Sequence, residues 1–205
     1  MALTKVDISM LEDAGASGQV LTSDGTNWTS AVAAGGGVDG ISSSANANAI
    51  VITADEEVTM PKQPCVNVTS TQQLSNVTGG STVYTYVWNS ERFDQNDDFA
   101  SNTFTAPVTG RYLHTIGMNF DSINSSRTHL SVKLETSNEG YHVTKFNPSA
   151  YSATFEYHCH GSFIVDMDAS DTATVAIQVN GGSTDIDSYG DVHNQYPHWH
   201  IALIA

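Results

Sequence analysis

The sequence predicts an all-β protein whose larger, C-terminal part folds as a β-sandwich. Apolar and polar residues alternate along several short segments, which is the pattern of half-buried strands. No segment of that part shows the 3.6-residue apolar period of a helix, and Gly, Asn and Pro residues separate the segments. Charged residues make up only 14% of the chain, while 40% is hydrophobic, so enough apolar side chains are present to build a core.

The first 53 residues differ from the rest and predict an extended segment. They contain no Pro, no His and one aromatic residue, Trp28, and residues 33–37 and 42–49 are Gly-, Ser- and Ala-rich. Residues 19–29 predict a hairpin, because an apolar run reaches Asp24-Gly25 and returns through Trp28. A lone hairpin is marginally stable, so this segment needs other copies of the chain or a larger assembly.

Pro61 and Pro64 mark the start of the second part, which gives a division into residues 1–60 and 61–205. Residues 49–53 predict one strand before this boundary. In the second part, alternation predicts strands at residues 82–88, 112–120, 130–135, 151–159, 173–179 and 199–203. Six or more short strands with turn residues between them indicate a sandwich.

Charge excludes several functions. The 205 residues carry 7 Lys and Arg against 22 Asp and Glu, a formal net charge of −15. We therefore expect neither nucleic-acid binding through a basic face nor docking on anionic lipid. The chain contains no run of 18 apolar residues, so we expect no membrane-spanning helix. The first residues lack the pattern of a secretory signal. Cys65 and Cys159 are too few for a disulfide scaffold and are expected to be reduced.

The chain carries no catalytic signature. The motifs G-x-S-x-G, H-E-x-x-H and the P-loop are absent from the sequence. We therefore expect a protein without enzymatic activity and without a required cofactor.

Residues 99–112 contain F-x-A-P-x-x-G-x-Y, formed by Phe104, Ala106, Pro107, Gly110 and Tyr112. This run resembles the signature of C1q-like and tumour-necrosis-factor-like jelly rolls. Residues 62–66, 162–175 and 199–204 resemble the opening, a later strand pair and the closing strand of such domains, although Cys65-Val66 replaces Ala-Phe and Ser170 replaces a glycine. The resemblance covers residues 61–205 and implies a jelly-roll β-sandwich that associates as a homotrimer.

Residues 1–6 and 15–28 are similar to the start of bacteriophage tail-fibre and related virion proteins. This resemblance implies a homotrimeric virion fibre, attached to other phage structural proteins through residues 1–30. Its knob would face a glycan or protein of the host surface, outside the cell, after synthesis in the host cytoplasm. Two alternatives remain open: a capsid decoration or head fibre without receptor recognition, and a secreted C1q-like lectin or ligand.

Four of the eight histidines form two His-x-His pairs, His158 with His160 and His198 with His200. Residues i and i+2 of a strand point to the same side, so each pair can offer two imidazoles to one ion. In a trimer, one pair near the axis would supply six nitrogens for a transition metal. His198 and His200 are the favoured pair, because the last strand of this fold class lies near the axis. The alternative is that all four are polar strand residues.

Ligand contacts are expected from loops that carry aromatic and amide side chains. The candidates are Tyr141, Asn147, Tyr189, Asn194 and Tyr196, within the predicted loops 136–150 and 181–197. Such side chains suit the faces and hydroxyls of carbohydrates, although they also commonly terminate strands. The acidic stretches 94–98 and 185–191 lack a complete calcium-binding pattern, so they are interpreted as solvated loops.

Overall fold

A computed structural model describes residues 19–23, 28–32, 50–55, 57–151, 155–181, 186–191 and 196–205, with the backbone alone for 19–23, 28–32 and 155. The chain divides into two compact units, Met1–Ala47 and Asn48–Ala205. Across the described ranges, no helix has the length and hydropathy needed to cross a membrane.

The first unit contains the predicted hairpin. Strand β1 (Gln19–Ser23) pairs antiparallel with β2 (Trp28–Val32), with Ser23 opposite Trp28. The Asp24-Gly25 turn lies outside the described residues. An anchor and shaft built from this part of the chain stay a prediction.

The second unit is a sandwich of two antiparallel sheets. A small hairpin precedes them, formed by β3 (Val51–Ile52) and β4 (Val58–Thr59). The first sheet has the order β13–β12–β15–β10–β9, with β7 also paired to β15. Its strands are β7 (Val83–Thr85), β9 (Phe99–Ala100), β10 (Thr103–Thr105), β12 (Arg127–Thr136), β13 (Gly140–Phe146) and β15 (Thr172–Gly181).

The second sheet has the order β6–β16–β11–β17–β5–β8, with β14 paired to the other side of β11. Its strands are β5 (Cys65–Thr69), β6 (Leu74–Thr78), β8 (Ser90–Asp94), β11 (Gly110–Ile123), β14 (Phe155–Met167), β16 (Ile186–Ser188) and β17 (His198–Leu203). Both sheets join strands from distant parts of the chain, as a jelly roll does, so the predicted fold class is confirmed.

Alternate residues of the two sheets meet in the core. On β11 these are Tyr112, His114, Ile116, Met118 and Phe120, all fully buried, as the alternation predicts. Leu130, Val132 and Leu134 of β12, and Val175, Ile177 and Val179 of β15, face them from the other sheet. Cys159 also points inward, and neither cysteine forms a disulfide.

Several elements differ from the sequence-based prediction. The strand predicted at 82–88 ends at Thr85, although the aromatic face continues because Tyr86 and Trp88 remain buried. The strands predicted around residues 151–159 and 162–167 are one 13-residue strand, β14, because Gly161 continues the pairing opposite Ile116. The predicted loop 136–150 contains β13 and a single 3₁₀ turn, Pro148–Ala150.

The register gives the sandwich two distinct ends. Cys65 pairs with Ala202 and Gly110 with Met167 at one end, which we call the proximal end. The chain enters the unit there, since Ile50 lies beside Leu203, Ile204 and Ala205. Along β11, Asn119 is nine residues beyond Gly110 and pairs with His158, so it lies about 30 Å away at the distal end.

Trp199 occupies the centre of the core. Its indole stacks on His114 at a centroid separation of 5.9 Å and meets the edge of Phe99 at 5.8 Å. The indole N–H donates to His114 Nδ1 at 3.3 Å, so the proton of the neutral imidazole is on Nε2. That nitrogen is buried and meets no hydrogen-bond partner among the described residues. Burial lowers the pKa of His114 from the ordinary 6.5 to about 4.

We expect acidification to destabilise the sandwich through His114. The unfolded chain binds a proton at this histidine more readily than the folded chain does. The contribution of neutral His114 to the free energy of unfolding is therefore fully present above pH 6.5, and it decreases as the pH drops toward about 4. Between pH 7 and pH 5 the loss from this residue is about 2 kcal/mol. Urea unfolding at the two pH values measures it, and His114→Phe should flatten the difference. An unchanged pH dependence in that variant would contradict the assignment.

Candidate functional site

The outward side of strands β14, β11, β17 and β5, which we call the outer face, carries the predicted histidines. Its charged residues lie at its ends: Arg111 and Asp166, 4.0 Å apart, at the proximal end, and Asp121 and Glu156 at the distal end. Between them, the outward residues described on these strands include no Asp, Glu, Lys or Arg. Ile164 is 61% exposed within this uncharged surface.

Three of the four predicted metal ligands, His160, His198 and His200, form a cluster on the outer face, while His158 lies nearer the distal end with its ring 6.2 Å from that of Tyr196. Gly117 of β11 has His160 of β14 on one side and His198 of β17 on the other, and these two rings lie 6.1 Å apart. His198 and His200 stack with their centroids 4.6 Å apart and their planes inclined by 24°. Gly117 leaves the space that His198 occupies, because a Cβ there would lie 2.7 Å from His198 Nε2.

The described residues of one chain offer fewer ligands than a closed metal site needs. Within the described ranges, no three His, Cys, Asp or Glu side chains are placed to hold one ion. Burial, and then the neighbouring His160, lowers the pKa of His200 and favours the neutral imidazole, which is the form that binds metal. Cys159 points away from the cluster into the core.

A cleft of about 410 Å³ opens at the distal end, beside the histidine cluster. It is lined by Asn119, Glu156, His158, Tyr189 and Tyr196. We call it the distal cleft. Its lining therefore includes two of the tyrosines predicted to contact a ligand, Tyr189 and Tyr196, and one of the histidines predicted to bind metal, His158.

The walls of the distal cleft are held by the sheet. The backbone N–H of Tyr189 donates to the carbonyl of Asn119 at 3.0 Å, directly after β16 pairs with β11. The ring of Tyr196 lies 6.2 Å from that of His158 and 4.9 Å from that of His198. His158 Nε2 is 3.7 Å from a carboxylate oxygen of Glu156.

Asn119 supplies the most informative atom of this cleft. Its side chain is only 5% exposed, and its Oδ1 is buried and accepts no hydrogen bond from the described residues. Buried polar atoms in folded proteins normally have a partner, so an open acceptor beside a cleft is a position for a ligand donor.

The other predicted ligand residues lie elsewhere. The Tyr141 hydroxyl donates to Glu139 at 3.1 Å, and its ring packs 5.5 Å from Phe163. Asn147 Oδ1 accepts from the Ser149 N–H at 3.0 Å and caps the 3₁₀ turn. Asn194 lies outside the described residues. Sequence reasoning missed Asn119 as a cleft residue, because only the register places it beside His158.

A second cleft, of about 440 Å³, lies between β8 and β9 and includes Trp88, Phe99, Asn89 and Asn102 in its lining. Its amide oxygens already have partners. Asn89 Oδ1 accepts from the backbone N–H of Thr71, and Asn102 Oδ1 accepts from that of Trp88. These amides hold the backbone in place, so this cleft lacks the open acceptor found at Asn119.

The acidic stretches act within the fold. Asp94 accepts from the backbone N–H groups of Asp98 and Phe99, and Asp187 accepts from that of Asn76 at 2.8 Å. These bonds give both carboxylates a local role in shaping turns.

No family model and no curated protein matches the chain. Among solved structures, the globular domain of zebrafish complement 1qA protein is similar, at 17% identity and a TM-score of 0.47, over 69% of this chain and 98% of that one. Murine APRIL, crystallised at pH 8.5, is similar at 12% identity and a TM-score of 0.47, over 70% of this chain and all of that one.

Proposed function

We propose that the chain is a homotrimeric fibre protein of a bacteriophage particle, attached through its first residues and ending in an adhesive knob. The uncharged outer face carries the trimeric part of this proposal. A chain of net charge −15 that keeps Asp and Glu off the centre of one sheet has a surface suited to a second copy of itself. Ile164 and the half-buried Leu113 and Ala202 supply apolar area there.

The two ends of the sandwich support the fibre arrangement. The first and the last residues of the second unit both lie at the proximal end. The distal cleft therefore lies at the end that is remote from the point where the chain enters this unit. A knob on a stalk exposes its remote end to a target surface, and three equivalent clefts would bind repeated groups with avidity. The likeness of residues 1–6 and 15–28 to phage fibre proteins supplies the site of attachment.

Immunogold electron microscopy of particles of the phage that encodes the chain tests this proposal. An antibody against residues 48–205 should label projections, and an antibody against residues 1–30 should label little until the particle is disrupted. Gold along the tail supports the receptor-binding fibre, whereas gold on the capsid supports the head-fibre alternative. Particles without label would contradict a virion role and favour a secreted ligand.

We also propose that His198 and His200 of three chains hold one transition-metal ion. Imidazole nitrogens suit iron, cobalt, nickel and zinc, and the stacked pair beside Gly117 is accessible from the outer face. We expect elemental analysis of the purified full chain to find about one transition-metal ion per three chains. His200→Gln should lose that metal.

His142→Gln is the control for the metal measurement, because His142 lies on β13 of the other sheet. This variant should keep the metal of the wild-type chain. A wild-type chain that contains no metal and still has the mass of a trimer would contradict the metal site and leave the trimer standing.

A further inference from the structure

We propose that the distal cleft binds one neutral sugar residue of a surface glycan. The inference rests on the proposed adhesive function for its biological role and on the five residues of the cleft for its chemistry. A cleft of about 410 Å³ has the size of small-molecule binding sites in proteins.

The tyrosines define the kind of surface that fits. Tyr189 is 39% exposed, and Tyr196 is half-buried against His158 and His198. Aromatic rings offer an apolar face, while the tyrosine hydroxyl and the imidazole offer hydrogen bonds at its border. A pyranose ring has the matching pattern, with C–H groups on its faces and hydroxyls around its edge.

Asn119 adds a requirement for a donor. Its buried Oδ1 has no partner among the described residues, so the best ligand brings an O–H or N–H group to it. A quaternary ammonium group, which aromatic cages also bind, has no hydrogen to donate. A sugar hydroxyl satisfies this acceptor and keeps the aromatic contact.

Charge selects neutral over acidic sugars. Among the described residues that line the cleft, Glu156, 3.7 Å from His158, is the one carboxylate, and none is Lys or Arg. A sialic acid carboxylate or a phosphate would meet Glu156 without a cationic partner, which disfavours anionic glycans. Neutral hexoses and N-acetylhexosamines meet no such repulsion, and Glu156 accepts from their hydroxyls.

Saturation-transfer NMR with the full chain tests the inference. The probes are the methyl glycosides of glucose, galactose, mannose and N-acetylglucosamine, with N-acetylneuraminic acid and choline as competitors of other chemistry. We expect transfer to the ring protons of at least one neutral glycoside. Tyr189→Ala and Tyr196→Ala should each weaken that binding by about tenfold, as loss of a stacking ring removes about 1.4 kcal/mol.

Two further variants serve as a control for the tyrosines and as a test of the charge of the ligand. Tyr151→Ala removes a tyrosine that is 51% exposed and does not line the cleft, so it should bind the glycoside like the wild-type chain. Glu156→Gln keeps an acceptor oxygen and removes the charge, so binding of a neutral sugar should change less than threefold. A cationic ligand would instead lose most of its affinity in Glu156→Gln.

The outcomes separate the sugar site from the trimer, because the mass of each sample is measured as well. A trimer that transfers saturation to no glycoside, or to choline or N-acetylneuraminic acid alone, overturns the sugar site. The sugar site is also overturned if Tyr189→Ala and Tyr196→Ala both bind the glycoside as tightly as the wild-type chain does. A monomer that binds a neutral glycoside in the cleft upholds the sugar site and contradicts the proposed trimer.

Discussion

Replacing Trp199 by Ala should lower the free energy of unfolding by about 3–5 kcal/mol, which is the typical cost of emptying a fully buried aromatic site. Trp199 has no exposed surface and contacts aromatic rings of both sheets. Its ring lies 5.8 Å from Phe99 and 6.1 Å from Trp88, and its N–H donates to His114. The substitution therefore opens a cavity and removes the partner of His114 Nδ1 at the same time.

Urea unfolding at one protein concentration measures this loss, because the unfolding of a trimer depends on concentration. Tyr151→Ala is the control, since it also removes an aromatic ring, but one that is 51% exposed. That variant should change stability by less than about 1 kcal/mol. If Trp199→Ala were no more destabilising than Tyr151→Ala, the central position of Trp199 in the core would be wrong.

Ile164→Glu should convert the trimer to monomers. Ile164 is 61% exposed in one chain and lies at the uncharged part of the outer face, opposite Leu113. In an interface formed by this face, three new carboxylates would be buried in an apolar part of the contact, at a cost of several kcal/mol each. At micromolar concentration, light scattering should find a mass near 21.9 kDa for this variant.

Val83→Glu is the matched control for Ile164→Glu. Val83 is a β-branched strand residue with nearly the same exposure, 59%, but it lies on β7 of the other sheet. It should keep the mass of the wild-type chain. Loss of the trimer in Val83→Glu, with retention in Ile164→Glu, would place the interface on the opposite sheet.

Much of the fold follows from the sequence because the alternation of apolar and polar residues along a strand predicts which side chains are buried. The residues predicted to share one face of β11, from Tyr112 to Phe120, are all buried. Ser170, at the position where the jelly-roll resemblance has glycine, adopts a left-handed φ of 78°, the conformation that glycine adopts most easily. Strands β8, β9, β10 and β16 have five residues or fewer, which is too short for alternation to distinguish them from loops.

The candidate site is less visible in the sequence because it depends on which strands become neighbours. The two His-x-His motifs predict paired imidazoles, but their meeting across Gly117 depends on β11 lying between β14 and β17. Tyr189 and Tyr196 could be named from their loop, whereas Asn119 lies in the middle of a strand pattern. Only the pairing of β11 with β14 and β16 places its amide in the distal cleft.

The mass of the full chain in solution tests the trimer most directly. Sedimentation equilibrium should give a single species of three times 21.9 kDa over a tenfold dilution at pH 7.5. A species of 21.9 kDa at every concentration, or of twice that mass, would contradict a homotrimer built on the outer face.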